Sequence, residues 1–122
     1  MIRVGVWAAV SSRPQADDTK ESLPSQVAQG REFAANHGGE VVRVYEVPGH
    51  TRDLIFYADA AEQMDAYAEL RRDVEAGRLD VLWALDADRL GRDPALVQQV
   101  ISLVEKNGGE VYLASSPHVN GS

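Results

Sequence analysis

The chain has no cysteine, which removes disulfides and thiolate metal sites from consideration. No apolar run approaches the roughly 20 residues that a membrane-crossing helix needs. The N-terminal stretch MIRVGVWAAV is too short and too soon interrupted for a secretory leader. A cytoplasmic protein with no membrane partner is therefore expected. Cations are the minority charge: 12 Lys and Arg against 19 Asp and Glu leave a formal net charge of −7. That balance argues against an autonomous nucleic-acid binder, whose affinity rests on Lys and Arg against phosphate. It does not exclude a catalytic domain carried to nucleic acid by another module, and solubility alone accounts for the charge. What remains is ordinary globular composition, 44% hydrophobic and 25% charged over 122 residues. That length fits one domain and can bury a core without staples.

Hydrophobic patterning gives an alternating order. Ile2 to Val10 is apolar and reads as a strand buried on both faces. Ser11 to Glu21 reads as a loop. Ser22 can cap a helix with Pro24 in its first turn, Leu23, Val27 and Ala34 on one face, and His37-Gly38-Gly39 at its end. Glu40 to Val47 is the second strand, and Pro48 to Tyr57 a loop. A helix is expected from about Asp59 to Ala76, with Met64, Tyr67, Leu70 and Val74 on one face and Gly77 closing it. Leu79 to Leu85 is the third strand. Asp93-Pro94 starts a helix whose stripe is Leu96, Val97, Val100, Ile101 and Val104, stopped by Asn107-Gly108-Gly109. Glu110 to Ala114 is the fourth strand. Alternation of this kind implies an α/β fold of three layers, a mostly parallel sheet flanked by helices. Ligands normally bind such sheets at the carboxyl ends of the strands.

Two loops at those ends hold candidate chemistry. The first, VSSRPQ, offers the hydroxyls of Ser11 and Ser12. Serines after strands mostly bond backbone, and none of His37, His50 and His118 has a recognisable triad spacing. Phosphoryl transfer tolerates a serine without histidine, because positioning and neutralisation of oxyanion charge dominate. The second loop, within LDADRLGRDP, sets Arg89 and Arg92 three residues apart at a strand-to-helix turn. Their planar forks match phosphate oxygens, and Asp88 could orient an arginine or handle a proton. A solvated loop with internal ion pairs of little stabilising worth is the plainer reading.

Taken together, the two loops resemble the serine recombinases, the resolvase/invertase family. Asp88-Arg89-Leu90-Gly91-Arg92 is similar to that family's DRLGR signature, and Val10-Ser11-Ser12 with Gln15 to its Arg-Val-Ser-(Ser/Thr) stretch. Ser22-Leu23-Pro24-Ser25-Gln26 resembles the opening of its first helix, Asn36 to Val42 its turn into the second strand, and Val74 to Leu82 the approach to the arginine motif. The ordered set covers residues 1–117 as a resolvase-type catalytic domain, with 118–122 a tail. The resemblance implies DNA cleavage by a serine, a 5′-phosphoserine link, release of a 3′-hydroxyl, strand exchange in a tetramer and religation, with no metal or other cofactor. It implies Ser11 as nucleophile, Arg89 and Arg92 as oxyanion stabilisers, Asp88 as proton handler or arginine support, and Gln26 as support for the loop.

Three positions depart from the family pattern. Ala9 stands where an arginine precedes the nucleophile, Met64-Asp65-Ala66-Tyr67 where Arg-Pro-x-Leu begins a helix, and His50-Thr51 where Ser-Gly is usual. A lost oxyanion donor costs about 3–4 kcal/mol, roughly 100- to 1000-fold in rate, so impaired cleavage is expected unless Arg13 or Arg52 substitutes. The long dimerisation helix and DNA-binding module of the family are absent, so DNA binding and assembly into dimers or tetramers are expected of a longer protein. Three alternatives stay open: an inactive recombinase fold kept for assembly or regulation, a Mg-dependent Toprim-like domain using Asp86 and Asp88, and a flavodoxin-like binder of small molecules.

Overall fold

β1 (Ile2–Ala9), the first strand of the chain, lies in the interior of the sheet. The computed structural model describes residues 1–9, 22–47, 65–91 and 93–115. Along these the elements are β1, α1 (Leu23–Asn36), β2 (Gly39–Val47), α2 (Asp65–Glu75), β3 (Val81–Ala84), α3 (Ala87–Leu90), α4 (Pro94–Lys106) and β4 (Glu110–Leu113). The 4-stranded sheet runs β2-β1-β3-β4, every pairing parallel. This is the expected three-layer α/β arrangement.

Two-residue alternation divides the core between the sheet faces. From β1, Val4 and Val6 pack with Ala34 of α1 and Trp83 of β3. Trp7 and Ala9 face the other way, into a larger cluster with Tyr67, Leu70 and Val74 of α2, Leu90 of α3, and Leu96, Val100 and Val104 of α4. A register shift between Val4 and Gly5 pairs Val4 with Val41 but Gly5 with Arg43. The extra residue in β2 puts Val41 and Val44, three apart, on one face and turns Tyr45 and Val47 to the other.

Local signals set the helix ends. The hydroxyl of Ser22 accepts from Ser25 N–H at 3.2 Å, and the carboxylate of Asp93 from Ala95 N–H at 2.9 Å. Gly38, Gly77 and Gly108 follow α1, α2 and α4 with φ of +69°, +71° and +89°, a region that suits glycine. The helix expected from Asp59 is seen from Asp65; the residues before it lie outside the described ones.

Two expectations need correction. The buried line of α1 is Gln26, Gly30 and Ala34, with Leu23 and Val27 only half-buried. The helix is turned so that small residues meet the sheet: a Cβ on Gly30 would lie 2.5 Å from Val6 Cγ2. The segment read as a loop from Asp86 to Asp93 contains the one-turn helix α3.

Asp73 of α2 is tied to the sheet although its side chain is 1% exposed. It accepts from Tyr45 Oη at 2.6 Å, Arg43 Nε at 2.8 Å and Arg78 Nη1 at 3.0 Å. Burial is the largest influence on this carboxyl and pushes its pKa up; the hydrogen bonds from Tyr45, Arg43 and Arg78 together outweigh it and hold the group below its usual value. Burial, followed by the bond to Asp73, pushes the Tyr45 phenol up.

Candidate active site

Ala9, the last residue of β1, gathers two distant side chains. Its N–H donates to Gln26 Oε1 at 3.1 Å, and its carbonyl accepts from Gln26 Nε2 at 2.8 Å. The carboxamide thus behaves as one more strand residue paired to the end of β1, which is why a glutamine is 0% exposed here. The same carbonyl accepts from Arg89 Nη1 at 3.2 Å, so both of its lone pairs are engaged.

Arg89 arrives on α3, where it is 7% exposed. Asp86 caps this helix, its Oδ1 accepting from Arg89 N–H at 3.2 Å, and the same oxygen lies 3.8 Å from Arg89 Nε. A buried guanidinium stays charged, so it carries a fixed cation to the carboxyl end of β1. The far end of α3 is held from below. Trp7 Nε1 donates to the carbonyl of Arg89 at 2.7 Å, and the Tyr67 hydroxyl donates to the carbonyl of Leu90. Gly91 follows with extended backbone, and a Cβ there would lie 2.6 Å from Leu96 Cδ2. The requirement at Gly91 is close approach of the backbone to α4.

The model of the family "Resolvase, N terminal domain" matches residues 8–121. This chain belongs to the resolvase N-terminal domain family. No curated protein matches this chain in sequence. Solved structures share its fold. The N-terminal catalytic domain of TP901-1 integrase aligns with a TM-score of 0.75 at 21% identity, over 94% of this chain and 79% of that one. A resolvase family site-specific recombinase from Streptococcus pneumoniae aligns at 0.72 and 17%, over 98% and 76%. The C-terminal catalytic domain of ISC1926 TnpA, an IS607-like serine recombinase, aligns at 0.67 and 22%, over 93% and 69%.

Within the resolvase domain, Gln26 and Arg89 meet at Ala9, and Asp88, the residue before Arg89 on α3, is exposed. Ser11, Ser12, Arg13, Arg52 and Arg92 lie outside the described residues, as do His50 and Met64. Ala9, at the position of the family arginine, is 0% exposed and packs in the larger core cluster. Among the described residues no three His, Asp or Glu gather as a metal site, and Asp86 is occupied as a cap.

Sequence reasoning missed Trp7 and Tyr67 as parts of this site, and it read Asp86 only as a candidate metal ligand, not as the cap of α3. A signal existed for the first: an indole N–H on a strand buried from both sides needs an acceptor. Asp86 stands three residues before Arg89, as an N-cap stands before the N–H it receives. Tyr67 fits the apolar stripe of α2 and gives no sign that its hydroxyl is used.

Proposed function

We propose that this resolvase domain, over residues 1–117, is the catalytic part of a site-specific serine recombinase. In this reading Ser11 Oγ attacks a backbone phosphorus and gives up its proton, with Asp88 assisting. The bond from phosphorus to the 3′ oxygen breaks, and that oxygen leaves as a 3′-hydroxyl. A 5′-phosphoserine remains until religation reverses the step. Arg89 and Arg92 stabilise the charge that grows on the phosphoryl oxygens, and Gln26 supports the start of the serine loop. Neither a metal nor another cofactor is required. DNA is engaged by the full-length protein in the cytoplasm, assembled as dimers and tetramers.

The observation that carries the reading is the bond from Arg89 to the carbonyl of Ala9. Ser11 follows Ala9 by two residues, and two residues of extended chain span at most about 7 Å. A buried guanidinium and a serine are therefore tethered to one point. The test is a suicide substrate: nicked DNA bearing the protein's own site, incubated with full-length protein and EDTA. A covalent adduct lost in Ser11→Ala supports the reading. A metal-dependent nick without an adduct supports the Toprim-like alternative instead.

One observation favours a second reading, a recombinase fold kept for assembly or regulation. The family arginine is replaced by core-packed Ala9. Site-specific DNA binding with no adduct, and no effect of Ser11→Ala, would support it.

A further inference from the structure

We propose that Trp7 and Tyr67 are positioning residues for Arg89, acting through the backbone of α3. The inference deepens the recombinase reading and rests on it for its catalytic consequence. α3 has 4 residues, too few to hold itself as a helix. Its terminal carbonyls have no partner within the turn. Two buried donors supply partners: Trp7 Nε1 to the carbonyl of Arg89 at 2.7 Å, and Tyr67 Oη to the carbonyl of Leu90. Fixing those adjacent carbonyls fixes the peptide planes after Arg89 and Leu90. That sets the direction in which the Arg89 side chain leaves the backbone, toward the carbonyl of Ala9.

Packing alone does not call for these donors. The rings touch at a centroid distance of 4.7 Å and fill the core between β1 and α2. A phenylalanine at either position would also bury an aromatic ring. The indole N–H and phenol O–H make their described bonds to α3. Trp7 and Ala9 lie on the same face of β1, so this strand holds Arg89 at two points, its main-chain carbonyl and its guanidinium.

The test compares Tyr67→Phe and Trp7→Phe with wild type, and Tyr112→Phe, on the opposite face of the sheet, serves as control. The first readout is the ¹⁵N NMR signal of the Arg89 guanidinium, identified by its loss in Arg89→Lys. Wild type and Tyr112→Phe should show it slow to exchange. Tyr67→Phe should show faster exchange while keeping wild-type circular dichroism. The second readout is the adduct rate of the full-length protein on the suicide substrate. It should fall roughly tenfold to hundredfold, the scale of a misplaced catalytic group, with DNA affinity unchanged. An unchanged Arg89 signal in Tyr67→Phe overturns the proposal, whatever happens to the rate. If wild type makes no adduct, the recombinase reading fails, and the NMR comparison still decides whether the two rings position Arg89. Should Trp7→Phe fail to fold, Tyr67→Phe, which removes one oxygen atom, decides alone.

Discussion

The indole of Trp7 and the main-chain carbonyl of Arg89 are bonded at 2.7 Å across 82 positions of sequence. The contact joins the interior strand β1 to the backbone of α3 at Arg89.

Arg89→Lys should retain a cation and lose the planar fork that reaches Ala9. Loss of one preorganised oxyanion donor, the role proposed for Arg89, costs roughly 100- to 1000-fold in rate, and the compact ammonium of lysine does not reproduce a planar fork. The adduct rate on a suicide substrate should fall on that scale while the fold, followed by circular dichroism, is retained.

Gln26→Leu keeps much of the volume and removes both bonds to Ala9. The carbonyl of Ala9 keeps Arg89, but its N–H is left buried without the glutamine oxygen. A cost of about 2 kcal/mol is expected in urea unfolding. Gln26→Glu should cost more at neutral pH and less in acid, because a buried carboxylate is relieved by protonation.

Gly30→Ala should destabilise the domain even though alanine favours a helix by about 1 kcal/mol. The added Cβ would lie 2.5 Å from Val6 Cγ2 and 2.9 Å from Val6 Cγ1. Overpacking of this kind costs about 1–3 kcal/mol. Combining it with Val6→Ala should cost less than the sum of the single changes, a coupling that a double-mutant cycle reads.

Asp73 makes the stability of the domain sensitive to acid. Its folded pKa is depressed, so its contribution is complete above the unfolded value of about 3.9. That contribution is lost as pH falls through the folded value. Asp80, hydrogen-bonded by Arg3, is depressed in the same direction. Thermal unfolding between pH 5 and pH 2 should show a steep fall in wild type and a shallower one in Asp73→Asn. At pH 7 that variant should be about 1–2 kcal/mol less stable, because the partners Arg43 and Arg78 are exposed and screening weakens the pairing.

The parts legible in sequence are those whose causes are local. Asp93-Pro94 starts α4 and Gly77 ends α2 through the conformational preferences of those residues. α3 was not legible, because a single turn has no periodicity and its terminal carbonyls are bound by residues far away in sequence. The buried face of α1 was misread for a related reason. Gln26 ranks as polar in any one-dimensional pattern, yet it is buried because the end of β1 offers it a donor and an acceptor. Arg89 was singled out from the motif, but the bonds that aim it come from β1 and α2, elements read only as core.

The central place of β1 also orders events during synthesis. β1 is made first, can pair with β2 once residue 47 has emerged, and must wait for residue 84 to pair with β3. Until then one edge of the strand is open, a state prone to wrong pairing. The end of β1 also lacks its arginine until residue 89 is made. On the proposed function, a growing chain released before α3 would carry Ser11 without the guanidinium that the reading requires beside it.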